Sequence, residues 1–282
     1  MAGPSGSLWG GEQLDLAAYL ARVGYEGERV PTPEVLSALQ AAHIASMSWE
    51  NLEVVLGRTV RLDLESLQEK MVRRRRGGTC SEQTLLYAAA LEAIGFTFTA
   101  TQSRVRLGVD KIRPATHASL RVELDGEVWL TDVGFGAEGL LAPLRLREGE
   151  VARQGSWTYG LVRGEAPTPG TAGPLVLRQL RADGWFDLYA MGTEPRFPVD
   201  FTMTNHFTST HPRSPLNDKL LVQKTAPERR LTLYNTDLIT VLPDFTVDKH
   251  QVTAEELPGL LVREFGVELS AEDADALVAR YR

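Results

Sequence analysis

Two hydrophobic periods divide the chain. Near the N-terminus apolar residues recur at helical spacing: Leu14, Leu16, Ala17, Leu20 and Val23 lie close to one stripe of a 3.6-residue repeat. Thr32-Pro33-Glu34 offers an N-cap followed by proline at the first helical position, which predicts a helix over 35–44. The pattern predicts a third helix over 64–72 and a fourth over 80–94, stopped by Gly95. From Phe96 the period falls to two. Strands are expected over 96–106, 118–124, 128–133, 157–162, 175–180 and 185–189, separated by Gly, Pro or Asp-Gly signals. Residues 163–173, rich in Gly, Pro and Thr, read as a surface loop. The last third mixes strands at 231–234 and 238–241 with two helices that open on Thr253-x-x-Glu256 and Ser270-x-x-Asp273, both close to the capping-box pattern. Short strands after a block of helices imply an α+β chain built on a barrel or sandwich, and argue against a doubly wound sheet.

Composition narrows the function more than the fold. The 282 residues are 43% hydrophobic and 24% charged, enough to bury a large core without staples. A net charge of -7 argues against a general nucleic-acid binder. A single cysteine excludes an internal disulfide and fits a reducing cytoplasm. One Cys and five His (His43, His117, His206, His211, His250) show no zinc-type spacing, so no structural metal is expected. No apolar run approaches the length that crosses a bilayer. The first ten residues, rich in Gly and Ser, lack the order of a signal peptide and read as a loose arm.

The informative stretch is Arg76-Gly77-Gly78-Thr79-Cys80-Ser81-Glu82. Thr79 and Glu82 stand three apart just before an apolar helical run, the spacing of a capping box. Thr79 is then the N-cap and Cys80 the first helical residue. A sulfur there faces the positive end of the helix dipole and unpaired backbone N–H groups, which favour the reactive thiolate. Gly77 and Gly78 are expected to let the backbone approach whatever the sulfur attacks. Against this stands the common role of a lone cysteine as a small buried hydrophobe.

A partner for the thiol follows from turn chemistry. Asp125-Gly126 is a strong signal for a two-residue type I′ hairpin. If Leu124 pairs with Glu127, Val122 faces Trp129, Ser119 faces Asp132 and His117 faces Gly134. His117 and Asp132 are then diagonal neighbours on one face, within reach of a carboxylate–imidazole hydrogen bond. Taken singly, His117 would be a satisfied surface histidine and Asp132 a strand-end turn former; together with an activated Cys80 they suggest a triad.

Two further motifs weigh less. Gly134-Phe135-Gly136-Ala137-Glu138-Gly139 fits the dinucleotide fingerprint, but its strand belongs to a hairpin and Pro143 interrupts any helix after it. The run of four arginines, Arg73 to Arg76, could bind an anionic cofactor; a solvated or salt-bridged face is the commoner outcome.

Taken in order, several blocks resemble the arylamine N-acetyltransferases: DLAAYLARVG from Asp15, Trp49-Glu50-Asn51-Leu52, Arg76-Gly77-Gly78-x-Cys80-x-Glu82, Thr116-His117, Asp132-Val133-Gly134-Phe135-Gly136, Val199-Asp200-Phe201 and NHFTSTHP from Asn205. The resemblance implies an N-terminal helical bundle (1–97) carrying the nucleophile, a central antiparallel β-barrel (98–200) carrying His and Asp, and a linker with a C-terminal α/β lid (201–282), around a cysteine-protease-like core. It implies acetyl transfer from acetyl-CoA, a co-substrate and not a resident cofactor, to an aromatic amine, hydrazine or hydroxylamine. By the same match Cys80 is the nucleophile, His117 the base and Asp132 the group that orients it. Trp49, Val105, Thr116, Phe135, Gly136 and Phe207 are the expected substrate-binding residues. A homodimer is one assembly open to such a chain. The resemblance leaves an amide synthase of the same family, releasing a polyketide chain as an amide or macrolactam, as the alternative. The family usually has an aromatic residue before the cysteine and often one after it; Thr79 and Ser81 in those places imply a wider acceptor pocket.

Overall fold

A computed structural model describes residues 7–166 and 168–282. The N-terminal helices are α1 (Leu16–Val23), α2 (Pro33–Ser46), α3 (Leu52–Val55), α4 (Leu64–Leu67) and α5 (Cys80–Ile94), with a two-residue strand β1 (Trp49–Glu50) between α2 and α3. The caps expected from sequence form. Thr32 accepts from the Val35 N–H, Pro33 opens α2, and Gly95 ends α5 in the left-handed region at φ 98°. The third helix differs from expectation: after one α turn it widens into a π-helical stretch, Gln68–Arg73. The N-terminal arm also differs. From Ser7 onward it is tied to the Glu92 carboxylate, which accepts the backbone N–H groups of Leu8 (2.8 Å), Trp9 (3.0 Å) and Gly11 (2.8 Å). Residues 1–6 of the expected loose arm lie outside the described residues.

The helices pack on one face of a nearly closed, barrel-like antiparallel sheet of order β5-β4-β3-β2-β9-β8-β7-β6. Its strands are β2 (Thr97–Val105), β3 (His117–Leu124), β4 (Glu127–Thr131), β5 (Leu144–Arg145), β6 (Val151–Gln154), β7 (Trp157–Arg163), β8 (Leu175–Arg181) and β9 (Gly184–Ala190). Leu86, Ala90 and Leu91 of α5 share a core with Ala100, Leu120 and Val122, so the helix that opens on Cys80 is clamped between bundle and sheet. Trp157, Tyr159, Leu177, Leu188 and Tyr189 fill a second core within the sheet.

The chain then forms α6 (Pro198–Thr210), a helix that the apolar pattern does not announce. A second sheet follows, of order β1-β10-β11-β12-β13, with β10 (Leu221–Thr225), β11 (Arg230–Tyr234), β12 (Asp237–Val241) and β13 (Val247–Gln251). It is covered by α7 (Leu257–Leu260) and α8 (Ala271–Tyr281); Leu52, Val222, Leu233, Leu257, Phe265 and Leu277 make the third core. Because β1 sits beside β10, this C-terminal unit is stitched to the loop that precedes α5. Among the described residues no helix is long and apolar enough to cross a membrane.

Candidate active site

The loop before α5 is held by backbone packing. Trp49 of β1 bridges Gly78 in parallel, and the Gly78 N–H donates to the Ser48 carbonyl at 3.3 Å. A Cβ on Gly77 would stand 1.9 Å from the Ser48 oxygen. The glycine pair therefore lets the loop dock against β1. Arg76 is buried and anchored to Glu50 and Glu53, while Arg73, Arg74 and Arg75 pair with Glu69, Asp273 and Glu268. The arginine run is a salt-bridged face.

Glu82 completes the cap: its Oε2 accepts the Thr79 N–H at 2.8 Å and the Thr79 hydroxyl at 3.1 Å. Cys80 thus opens α5, partly exposed, with its sulfur 3.6 Å from the Thr116 carbonyl. Thr79 is 7% and Ser81 2% exposed, so neither presents an open face beside the sulfur. The Thr79 hydroxyl is engaged in the cap.

At the far end of the β3–β4 hairpin, the turn at Asp125 (φ 51°) and Gly126 (φ 78°) takes the left-handed conformations of a type I′ hairpin. Leu124 pairs with Glu127 and Val122 with Trp129, the expected register. The ladder ends at Leu120 with Thr131, and the next residues bring His117 Nε2 to 2.7 Å from Asp132 Oδ2. Both side chains are buried. Asp132 also accepts the Gly134 N–H on Oδ1 at 2.9 Å and the Tyr189 hydroxyl on Oδ2 at 2.8 Å. Gly134 is pressed so close to the start of α5 that a Cβ there would lie 2.9 Å from Cys80 Cα. Hairpin and helix are thereby locked together.

With Nε2 committed to Asp132, Nδ1 is the imidazole nitrogen left for the Cys80 sulfur. Burial alone would lower the His117 pKa. The Asp132 charge and hydrogen bond, and then the hydrogen bond and charge of Cys80, outweigh it and raise the value to about 10. Both neighbours therefore favour the protonated imidazole. Phe135 and Tyr189 wall it in, their rings 4.8 and 4.7 Å from its centre.

The remaining expected site residues are spread around this centre. Trp49, Phe135 and Gly136 line, with Asp132, Leu140 and Gln223, a small cavity of about 20 Å3. Trp49 is only 7% exposed and fills space there. Thr116 touches the sulfur through its carbonyl, and Val105 pairs with Tyr189 across β2 and β9. Phe207 lies on α6, stacked on His211 at 4.8 Å, and does not line that cavity. Tyr189 is the residue that the sequence reading missed. Its place depends on pairing between β2 and β9, eighty residues apart in the chain, and no local pattern signals it. Among the described residues no cluster of His, Cys, Asp and Glu could hold a metal ion.

The chain is similar to known proteins of one family. The family model for N-acetyltransferases matches residues 32–274. The arylamine N-acetyltransferase of Mycolicibacterium smegmatis is 33% identical over 276 residues, spanning 94% of this chain and 98% of that one. The crystal structure of Nocardia farcinica arylamine N-acetyltransferase superposes with a TM-score of 0.91 at 44% identity over 98% of both chains. Mycobacterium marinum arylamine N-acetyltransferase in complex with CoA gives 0.85 at 32% identity, covering 95% of this chain and 98% of that one.

Proposed function

The chain belongs to the arylamine N-acetyltransferase family of acyltransferases, and we propose that it moves an acetyl group from acetyl-CoA to an aromatic amine, hydrazine or hydroxylamine by way of Cys80. The observation that carries this reading is the buried His117–Asp132 pair set against a thiol at a helix start. Support for the donor comes from the CoA-bound relative of the same fold.

In the first half-reaction the Cys80 thiolate, paired with the His117 imidazolium, attacks the thioester carbonyl carbon. Backbone N–H groups at the start of α5 receive the developing oxyanion. As the carbonyl reforms, the carbon–sulfur bond to CoA breaks, and His117 hands its proton to the departing thiolate. In the second, the amine attacks the acetyl carbon while neutral His117 takes its proton, and Cys80 leaves as thiolate, which restores the ion pair. Asp132, itself held by Tyr189 and the Gly134 N–H, keeps the imidazole turned and stabilises its charge in both halves. Arylamines suit the scheme because their low basicity leaves the nitrogen unprotonated near neutral pH. A thiol that must remain reduced suits the cytoplasm. Replacement of Cys80 by serine should abolish turnover of acetyl-CoA with aniline while the fold persists. Turnover within tenfold of the parent protein would remove Cys80 from the mechanism.

A further inference from the structure

Behind the start of α5 lies a set of ionised side chains that these steps do not use. Lys70, on the π-helical stretch after α4, is buried, with Nζ 2.7 Å from Glu82 Oε1 and 3.5 Å from Glu50 Oε1. Glu82 holds the Thr79 N–H and hydroxyl with its other oxygen. Glu50 is bound by Arg76 at 3.0 Å and accepts the Leu52 N–H at 2.6 Å. Arg76 reaches on to Glu53 at 3.2 Å and to Asp273 of α8 at 3.6 Å. The opposite side of the helix start meets His117 and Asp132. Lys70 is thus the cation in direct contact with the carboxylate that caps the nucleophile's helix. Glu82 follows Cys80 by two residues, so both belong to the first turn of α5.

An isolated buried carboxylate has two outcomes, and either disturbs the site. If it takes up a proton, it is a weaker acceptor for the Thr79 N–H. If it stays charged, it opposes a second negative charge at the sulfur. Burial pushes Glu82 up, Lys70 pulls it back, and Glu50 adds to the rise. We infer that Lys70 is a positioning residue for the nucleophile: its ammonium holds the Glu82 carboxylate on the Thr79 cap and cancels the charge that would otherwise oppose thiolate at Cys80. The inference rests on the reading of Cys80 as the nucleophile. Lys70 and Glu82 also border a surface groove of about 350 Å3, which leaves room for a larger cation at position 70.

The test is the rate of Cys80 alkylation by iodoacetamide between pH 6 and pH 9, followed by intact mass, with folding checked by circular dichroism. Four proteins are compared: the parent, Lys70→Arg, Lys70→Met, and Lys70→Met with Glu82→Gln. Loss of one neighbouring charge should slow alkylation of Lys70→Met about tenfold at pH 6, and the gap should close toward pH 9. The arginine variant should stay within about twofold of the parent, and the double variant should recover to within about threefold, because no lone charge remains. A Lys70→Met profile that overlays the parent, a double variant as slow as the single one, or failure of arginine to rescue would overturn the inference. If Lys70→Met does not fold, Glu82→Gln alone gives the reciprocal test. Its ammonium, left with Glu50 at 3.5 Å, should speed alkylation at pH 6 about threefold, and an equal or slower rate counts against Lys70. A parent protein unreactive at pH 6 would instead undermine the nucleophile itself, a distinct result.

Discussion

His43 offers a quantitative check on the buried scaffold behind the start of α5. It is buried on α2, with the Tyr19 hydroxyl 2.8 Å from Nδ1 and Gln83 Oε1 3.1 Å from Nε2; Gln83 in turn donates to the Gly78 carbonyl at 3.0 Å. Since Gln83 Oε1 can only accept, Nε2 carries the proton and Nδ1 accepts from Tyr19. The ring is neutral, and burial lowers its pKa from 6.5 to about 3, with the Gln83 contact working against the shift and Arg22 adding to it. Below pH 6.5 the unfolded chain binds a proton that the folded chain refuses. Stability is therefore full above the unfolded value and is lost as pH falls toward the folded one. Linkage gives a loss of about 2 kcal/mol between pH 7 and pH 5, nearly independent of the folded value so long as it stays below about 4. The perturbation is His43→Gln, which removes the titration and keeps a polar side chain. Urea unfolding of both proteins at pH 7 and pH 5 should show the parent losing about 2 kcal/mol more than the variant, other carboxylates and histidines being common to both. Equal losses within about 0.5 kcal/mol would refute a neutral, proton-refusing His43.

Two further outcomes follow from contacts in the structure. Tyr189→Phe deletes one of the hydrogen bonds to Asp132; bonds to charged groups are worth about 1.5–3 kcal/mol, so kcat/KM should fall by about tenfold or more while KM for acetyl-CoA changes little. A Tyr189→Phe enzyme with unchanged kcat/KM would show that the hydroxyl does not steady Asp132. Gly77→Ala places a methyl against the Ser48 carbonyl and should destabilise the protein by about 2 kcal/mol or more, read as a fall in Tm; an unchanged Tm would contradict the docking of this loop on β1.

The parts of the fold that sequence makes legible are those governed by local chemistry. Asp125-Gly126 fixes the hairpin register, and with it the contact between His117 and Asp132, because only left-handed residues fit a type I′ turn. Thr79 and Glu82 mark the start of α5 because a helix must satisfy its first N–H groups. What escapes is set by distant partners. α6, with Thr202, Thr204, Asn205, Thr208, Ser209 and Thr210, has weak helix formers, and its exposed Val199 and Met203 make no buried stripe, so tertiary contacts decide it. β13 is exposed along its whole length and shows no alternation. β1 is two residues long and exists through β10, more than 170 residues later. The tight fit of Gly77 on Ser48 and the buried setting of Thr79 and Ser81 belong to that same long-range packing.

The central claim is that Cys80 carries the acetyl group between donor and acceptor. The most direct measurement is an intact-mass spectrum of the protein mixed with acetyl-CoA in the absence of amine, followed by peptide mapping and by addition of an arylamine. The account predicts a single acetyl adduct on the peptide holding Cys80, absent from Cys80→Ser and discharged when the amine is added. A protein that turns over acetyl-CoA and amine with no such adduct, or an adduct that the amine fails to discharge, would contradict it.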